Sequence, residues 1–73
     1  MKKYYNVELA YNTREMIDRV NDFRTWLYDN NIKHETSSAG GFIHFEILLS
    51  VDEVEKVNNA LDNIVWFDSI INK

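Results

Sequence analysis

The sequence predicts an α+β domain of the ferredoxin-like type, with a four-stranded antiparallel sheet and two helices on one of its faces. In two segments apolar and polar residues alternate, which is the period of a half-buried strand. In two others apolar residues recur every three or four positions, which is the period of a helix with one buried side. With two weaker strands, the order is β-α-β-β-α-β, the split βαβ arrangement. We expect one domain over residues 1–73.

The first strand is followed directly by the first helix. Tyr5, Val7, Leu9 and Tyr11 alternate with Tyr4, Asn6, Glu8 and Ala10. Asn12 is the expected N-cap, with Glu15 closing a capping box. The buried stripe of this helix is expected to be Met16, Val20, Phe23 and Leu27. Asn30-Asn31 predicts its end, because Asn tolerates the left-handed conformation that ends helices.

A hairpin follows the first helix. A weaker strand is predicted at Ile32 to Ser37, a turn at Ser38 to Gly41, and the strongest strand of the chain at Phe42 to Leu49. The residues of the strongest strand that should face the core are Ile43, Phe45, Ile47 and Leu49. Those that should face away are Phe42, His44, Glu46 and Leu48.

The second helix begins with a capping box in Ser50-Val51-Asp52-Glu53. Its buried stripe is expected to be Val54, Val57, Leu61 and Ile64. A short final strand is predicted near Phe67 to Ile71. Continuation of the helix through Val65–Ile71 is the alternative, since neither Gly nor Pro interrupts the segment.

The charge and the missing residue types exclude several classes of function. Eight Lys and Arg against 12 Asp and Glu give a net charge of −4, and the basic residues are spread along the chain, which disfavours nucleic-acid binding. The absence of Cys excludes disulfides, thiolate zinc sites and thiol nucleophiles and fits a reducing compartment. No apolar run approaches membrane-spanning length and the N-terminus turns polar early, so we expect a cytoplasmic protein that does not bind membranes.

Neither catalysis nor metal binding is expected. The candidate acids and bases Glu8, His44 and Glu46 lie on an open sheet without a pocket that would perturb their pKa values. A metal site would need His34 and His44 on one face, together with glutamates of the same hairpin, Glu35 and Glu46. A turn of even length puts the two histidines on opposite faces, so no metal or cofactor is predicted. The same register places Lys33 and Glu35 near Glu46 and His44, as pairs of opposite charge.

One segment resembles RNA-recognition motif (RRM) domains. Gly41-Phe42-Ile43-His44-Phe45 places Phe42 and His44 where that family carries exposed aromatic residues on its third strand, and Tyr4 fits the position on the first strand. The resemblance implies single-stranded RNA binding through these three side chains. Gly40 stands where the family has Lys or Arg, and the same face carries glutamates.

The leading hypothesis is a non-enzymatic protein-interaction module. Three large apolar residues on the uncovered face of the sheet would form a patch for a partner protein or a second copy, and a homodimer is favoured. The residues expected to bind the partner are Tyr4, Asn6, Glu8, Phe42, His44, Glu46 and Leu48. The edge strand Ile32 to Ser37 is the alternative interface.

Composition adds a hint about origin, and other function classes stay open. Frequent Asn, few Gly and no Pro resemble small accessory proteins of AT-rich genomes, including those of bacteriophages, which bind and modulate host proteins. RNA binding is the first alternative. A dimeric small-molecule sensor domain is the second.

Overall fold

A computed structural model describes residues 1–65 and 70–72 of the chain. The elements are β1 (Lys3–Ala10), α1 (Arg14–Asp29), β2 (His34–Ala39), β3 (Phe42–Leu49), α2 (Val51–Ala60), a π-helical turn (Leu61–Val65) and β4 (Ile70–Asn72).

The strands form an antiparallel sheet in the order β2-β3-β1-β4. The long ladder joins β1 to β3 over eight residue pairs, from Lys3 opposite Leu49 to Ala10 opposite Phe42. β2 pairs with the other side of β3, and the three residues of β4 pair with the other side of β1. The predicted α+β fold with an antiparallel sheet and two helices is confirmed.

The core lies between one face of the sheet and the helices. Every second residue of β1 and β3 is buried, as the alternation in the sequence predicts. The buried strand residues are Tyr5, Val7, Leu9, Ile43, Phe45, Ile47 and Leu49. They pack against residues of α1, α2 and the π-helical turn: Val20, Phe23, Leu27, Val57, Ala60, Leu61 and Val65. Among the described residues, neither helix has the length and apolar character needed to cross a membrane.

Helix α1 begins one residue later than predicted. Thr13 is the N-cap, and its Oγ1 accepts a hydrogen bond from the Met16 N–H at 3.2 Å. The predicted capping box between Asn12 and Glu15 is therefore wrong. Asn12 lies in the connection from β1, so close to the hairpin that a Cβ at Gly41 would meet the Asn12 Cβ at 3.4 Å.

Helix α1 ends as predicted, at an Asn in the left-handed backbone conformation. Asn31 has φ 56°, and the next N–H, that of Ile32, donates to the Leu27 carbonyl at 3.0 Å. This is the bond of a Schellman motif, in which an apolar residue after the cap packs back on the last turn. Because Ile32 still belongs to the cap, β2 begins at His34 and not at Ile32.

The turn between β2 and β3 is shorter than the predicted turn of Ser38 to Gly41. Gly40 and Gly41 have φ of 61° and 82°, and Ala39 lies directly opposite Phe42. Two positive φ values in a two-residue loop are the geometry of a type I′ hairpin, whose twist matches that of the strands. β2 therefore continues through Ala39, and the turn fixes its register against β3.

The predicted capping box at the start of α2 is confirmed. The Ser50 N–H donates to Glu53 Oε1 at 2.9 Å, and Lys2 Nζ lies 3.4 Å from the same oxygen. The backbone hydrogen bond from Ser50, followed by contacts with the Ser50 side chain and Lys2, holds the pKa of Glu53 below its usual value despite some desolvation. This carboxylate ties the N-terminal residues to the start of α2.

The alternative in which the second helix continues through Val65–Ile71 is wrong, because Ile70–Asn72 is a strand. The helical path continues beyond Ala60 as the π-helical turn, in which Leu61 and Val65 are buried. Strand β4 follows at Ile70–Asn72. Positions 67–69 of the strand predicted at Phe67 to Ile71 lie outside the described residues.

We expect Phe45→Ala to lower the free energy of unfolding by about 3–5 kcal/mol, because it opens a cavity in the core. Phe45 is 0% exposed and its ring meets that of Phe23 edge to face, with 5.4 Å between centroids. Phe42→Ala, three positions earlier in the same strand but 48% exposed, is the matched control and should change stability by no more than about 0.5 kcal/mol. Urea denaturation measures both, and equal losses would show that the faces of β3 are assigned wrongly.

Candidate functional site: the open face of the sheet

The side of the sheet that faces away from the helices is the candidate site, and we call it the open face. All seven residues predicted to bind a partner lie on it, because they alternate with the buried residues of β1 and β3. The register adds Ala10 of β1 and three residues of β2. The open face thus comprises Tyr4, Asn6, Glu8, Ala10, Glu35, Ser37, Ala39, Phe42, His44, Glu46 and Leu48.

The centre of the open face is acidic. Glu35 lies directly opposite Glu46, which on its other side lies opposite Asn6. In the neighbouring row, Glu8 lies opposite His44. Residues directly opposite each other have Cβ atoms about 5 Å apart, and successive rows on one face are about 7 Å apart. Three carboxylates therefore share two adjacent rows.

The position of Glu35 corrects an expectation. The sequence predicted pairs of opposite charge, in which Lys33 and Glu35 lie near Glu46 and His44. Glu35 instead lies opposite the like-charged Glu46, and the Lys33 carbonyl accepts from the Leu48 N–H at 3.0 Å. The cause is the two-residue turn, which shifts every cross-strand pair by two positions relative to a four-residue turn and preserves the faces.

The apolar residues of the open face lie at its two ends. Tyr4, 46% exposed, lies opposite the half-buried Leu48. Phe42, 48% exposed, lies opposite Ala10 on one side and Ala39 on the other. Phe42 and Leu48 are six residues apart along β3, which is about 20 Å. The expected single apolar patch is thus divided into two, with the acidic centre between them.

The two histidines lie on opposite faces, as the even turn predicts. His34 lies opposite the buried Ile47, on the side of the helices. Its Nδ1 is 2.9 Å from the Ile32 carbonyl oxygen, and its ring centroid is 4.8 Å from that of Tyr28. His44 lies on the open face. Among the described residues, no three His, Asp or Glu side chains are arranged to hold a metal ion.

A shallow polar hollow adjoins the acidic centre. Its volume is about 130 Å³. Small-molecule sites have about 300–1,000 Å³ and are mostly apolar, so this hollow is better suited to one polar or cationic side chain. The residues that line it are Glu35, Thr36, Ser37, His44 and Glu46.

The sequence predicted the outward side for Glu35 but the wrong cross-strand partner, and neither Glu35 nor Ser37 was among the residues expected to bind a partner. The alternation in β2 is weak, because residues on both of its sides are exposed from Glu35 onwards. The signal that could have given their cross-strand partners is Gly40-Gly41, if it is interpreted as the whole loop of the hairpin.

Comparisons with known proteins identify the fold only. No family model matches the chain, and no curated protein matches it. A solved structure, that of an uncharacterized protein from Thermotoga maritima, is similar with a TM-score of 0.57 and 13% sequence identity. The match covers 97% of this chain and 95% of that chain. At this identity, the likeness shows a shared α+β fold and carries no information about the open face.

We expect the pair of Glu35 and Glu46 to destabilise the sheet. Like charges directly opposite each other are unfavourable, so Glu35→Gln should raise the free energy of unfolding by about 0.2–1 kcal/mol. When Glu46 is already replaced by Gln, Glu35→Gln should not raise the free energy of unfolding further. In the wild-type background, 1 M salt should reduce the increase, because it screens the repulsion. A gain of equal size in both backgrounds, measured by urea denaturation, would mean that the two side chains are not paired.

Proposed function

We propose that this chain is a non-enzymatic protein-interaction module that binds a basic segment of a partner protein through the open face. The observation that carries the proposal is the placement of Tyr4 and Phe42. Both rings are nearly half exposed on the face that the helices leave uncovered, at opposite ends of the acidic centre. Exposed aromatic side chains supply much of the binding energy in protein interfaces.

The charge of the open face defines the chemistry of the partner. Glu8, Glu35 and Glu46 would lose water on binding, which costs free energy unless cationic groups pair with them. Lys or Arg side chains of a partner provide such pairs, and the net charge of −4 attracts them at long range. An extended segment with basic residues between two apolar ones would match the spacing of the face.

The same charges disfavour two other occupants. A second copy stacked face to face would bring its own three carboxylates against these, so we do not propose a homodimer through the open face. The RNA-binding alternative meets the same difficulty, because phosphates approaching Phe42 and His44 would pass the carboxylates of Glu8 and Glu46. A small-molecule ligand bound at the open face is disfavoured by the size of the hollow there.

The fold that we propose with this function is the ferredoxin-like superfold. The strand order β2-β3-β1-β4 supports it, since the third strand then lies between the two strands that α1 connects. This topology hosts many activities, so the proposal depends on the face and not on the fold.

The proposal is tested with peptides selected from a random display library on the immobilised protein. We expect the selected peptides to combine Lys or Arg with apolar residues. Phe42→Ala should weaken their binding by about tenfold or more in fluorescence anisotropy, because it removes an anchor. Val51→Ala, which truncates a 77% exposed residue at the start of α2, is the matched apolar control and should leave binding unchanged.

A second pair of variants separates the open face from the overall charge. Glu46→Gln and Asp22→Asn each remove one negative charge, the first on the open face and the second on the exposed surface of α1. Only Glu46→Gln should weaken the selected peptides. The proposal would be contradicted if Glu46→Gln and Asp22→Asn weakened peptide binding equally, or if Phe42→Ala left peptide binding unchanged.

A further inference from the structure

The outer edge of β2 has backbone groups that the sheet does not use. The Leu48 N–H donates to the Lys33 carbonyl, one position beyond the pair of His34 and Ile47 in the same register, and this bond fixes the phase of the ladder. It follows that Lys33, Glu35, Ser37 and Ala39 direct their backbone groups towards β3. The residues between them direct theirs away from the sheet.

Those outward residues are His34, Thr36 and Ser38. β2 is the last strand in the sheet order, so among the described residues no strand pairs with their N–H and C=O groups. Natural edge strands are protected by charged side chains, above all Lys, by Pro or by a bulge. In the range His34–Ala39 the charged side chain Glu35 is the one such feature, since there is neither Lys nor Pro and the pairing with β3 is continuous.

We infer that this edge pairs with the same edge of a second copy, forming a two-fold symmetric dimer with a continuous sheet. In the antiparallel register that we assign, Thr36 lies opposite Thr36 of the second copy, and His34 lies opposite its Ser38. Each outward residue then exchanges two hydrogen bonds with the residue directly opposite it in the second copy, which gives about six hydrogen bonds in all.

Hydrogen bonding and charge select this register over its neighbours. A symmetric register centred on Glu35 would put two Glu35 carboxylates directly opposite each other and form only two of the three hydrogen-bonded pairs. A register centred on Ser37 also forms two. Centred on Thr36, the register pairs Glu35 with Ser37 of the second copy and forms all three.

An exposed aromatic ring at this edge adds apolar area to the interface. Tyr28 is 67% exposed, and its ring centroid lies 4.8 Å from that of His34, the first residue of β2. A second copy paired along β2 would bring its own helix layer beside this ring. The two-fold axis is perpendicular to the sheet, so both open faces stay on one side and free for a partner.

Charge variants at position 36 test the dimer. We expect sedimentation equilibrium to show wild-type dimers between about 10 μM and about 1 mM. Thr36→Lys and Thr36→Glu should each raise the dissociation constant by at least about tenfold, because like charges would be directly opposite. An equimolar mixture of the two variants should restore dimers. Thr36→Val, which keeps the backbone donor and the β-branched shape, is the matched control and should dimerise like wild type.

Amide hydrogen exchange tests the same edge without a substitution. On going from about 10 μM to about 1 mM protein, the amides of His34, Thr36 and Ser38 should exchange more slowly. The amides of Glu35 and Ser37, already bonded to β3, should not change.

Four results would overturn the inference. They are a monomer at about 1 mM, a dimer insensitive to Thr36→Lys, a charge-swapped mixture that stays monomeric, and exchange at the outward amides that is independent of concentration. Phe42→Ala should leave the dimer intact. The edge dimer and the proposed function of the open face can therefore fail independently.

Discussion

The two-residue turn at Gly40 and Gly41 is the constraint on which the hairpin depends. Both residues have positive φ, a conformation that L side chains rarely adopt, and the turn sets Ala39 opposite Phe42. Each later pair of β2 and β3 follows from that one, including the pair of Glu35 and Glu46. A slip by one residue would move every side chain of β2 to the other face. The turn therefore decides which charges the open face presents.

Under the proposed function, the two faces of the sheet have different roles, one in stability and the other in binding. The buried aromatic and aliphatic residues lie on the side of the helices, where Phe45 meets Phe23. The open face contributes little to the core and can carry like-charged glutamates at a cost of some tenths of a kcal/mol. Such a local conflict is expected where a surface is selected for binding. The outer edge of β2 is separate from both faces of the sheet, because it presents backbone N–H and C=O groups and not side chains.

Much of the fold could be predicted from local patterns. The wrong predictions arose where two neighbouring residues could each cap a helix, and where the length of a turn had to be known to the residue. Strand β3 and the capping box at Ser50 have strong, unambiguous signals. Asn12 and Thr13 are adjacent N-cap candidates, and the general preference for Asn favoured the wrong one. The four-residue and two-residue turns are both even, so the predicted faces were right. The cross-strand partners were displaced by two, which hid the pair of Glu35 and Glu46.

Nuclear Overhauser contacts between α-protons of β2 and β3 test the register most directly. In antiparallel sheets these protons are closest in the pairs that exchange no hydrogen bonds. The register with the two-residue turn predicts strong α-proton contacts between Thr36 and Phe45 and between Ser38 and Ile43. A strong contact between Thr36 and Ile43 would instead indicate a four-residue turn. It would remove Glu35 from its place opposite Glu46, and the acidic centre of the open face would not exist as described.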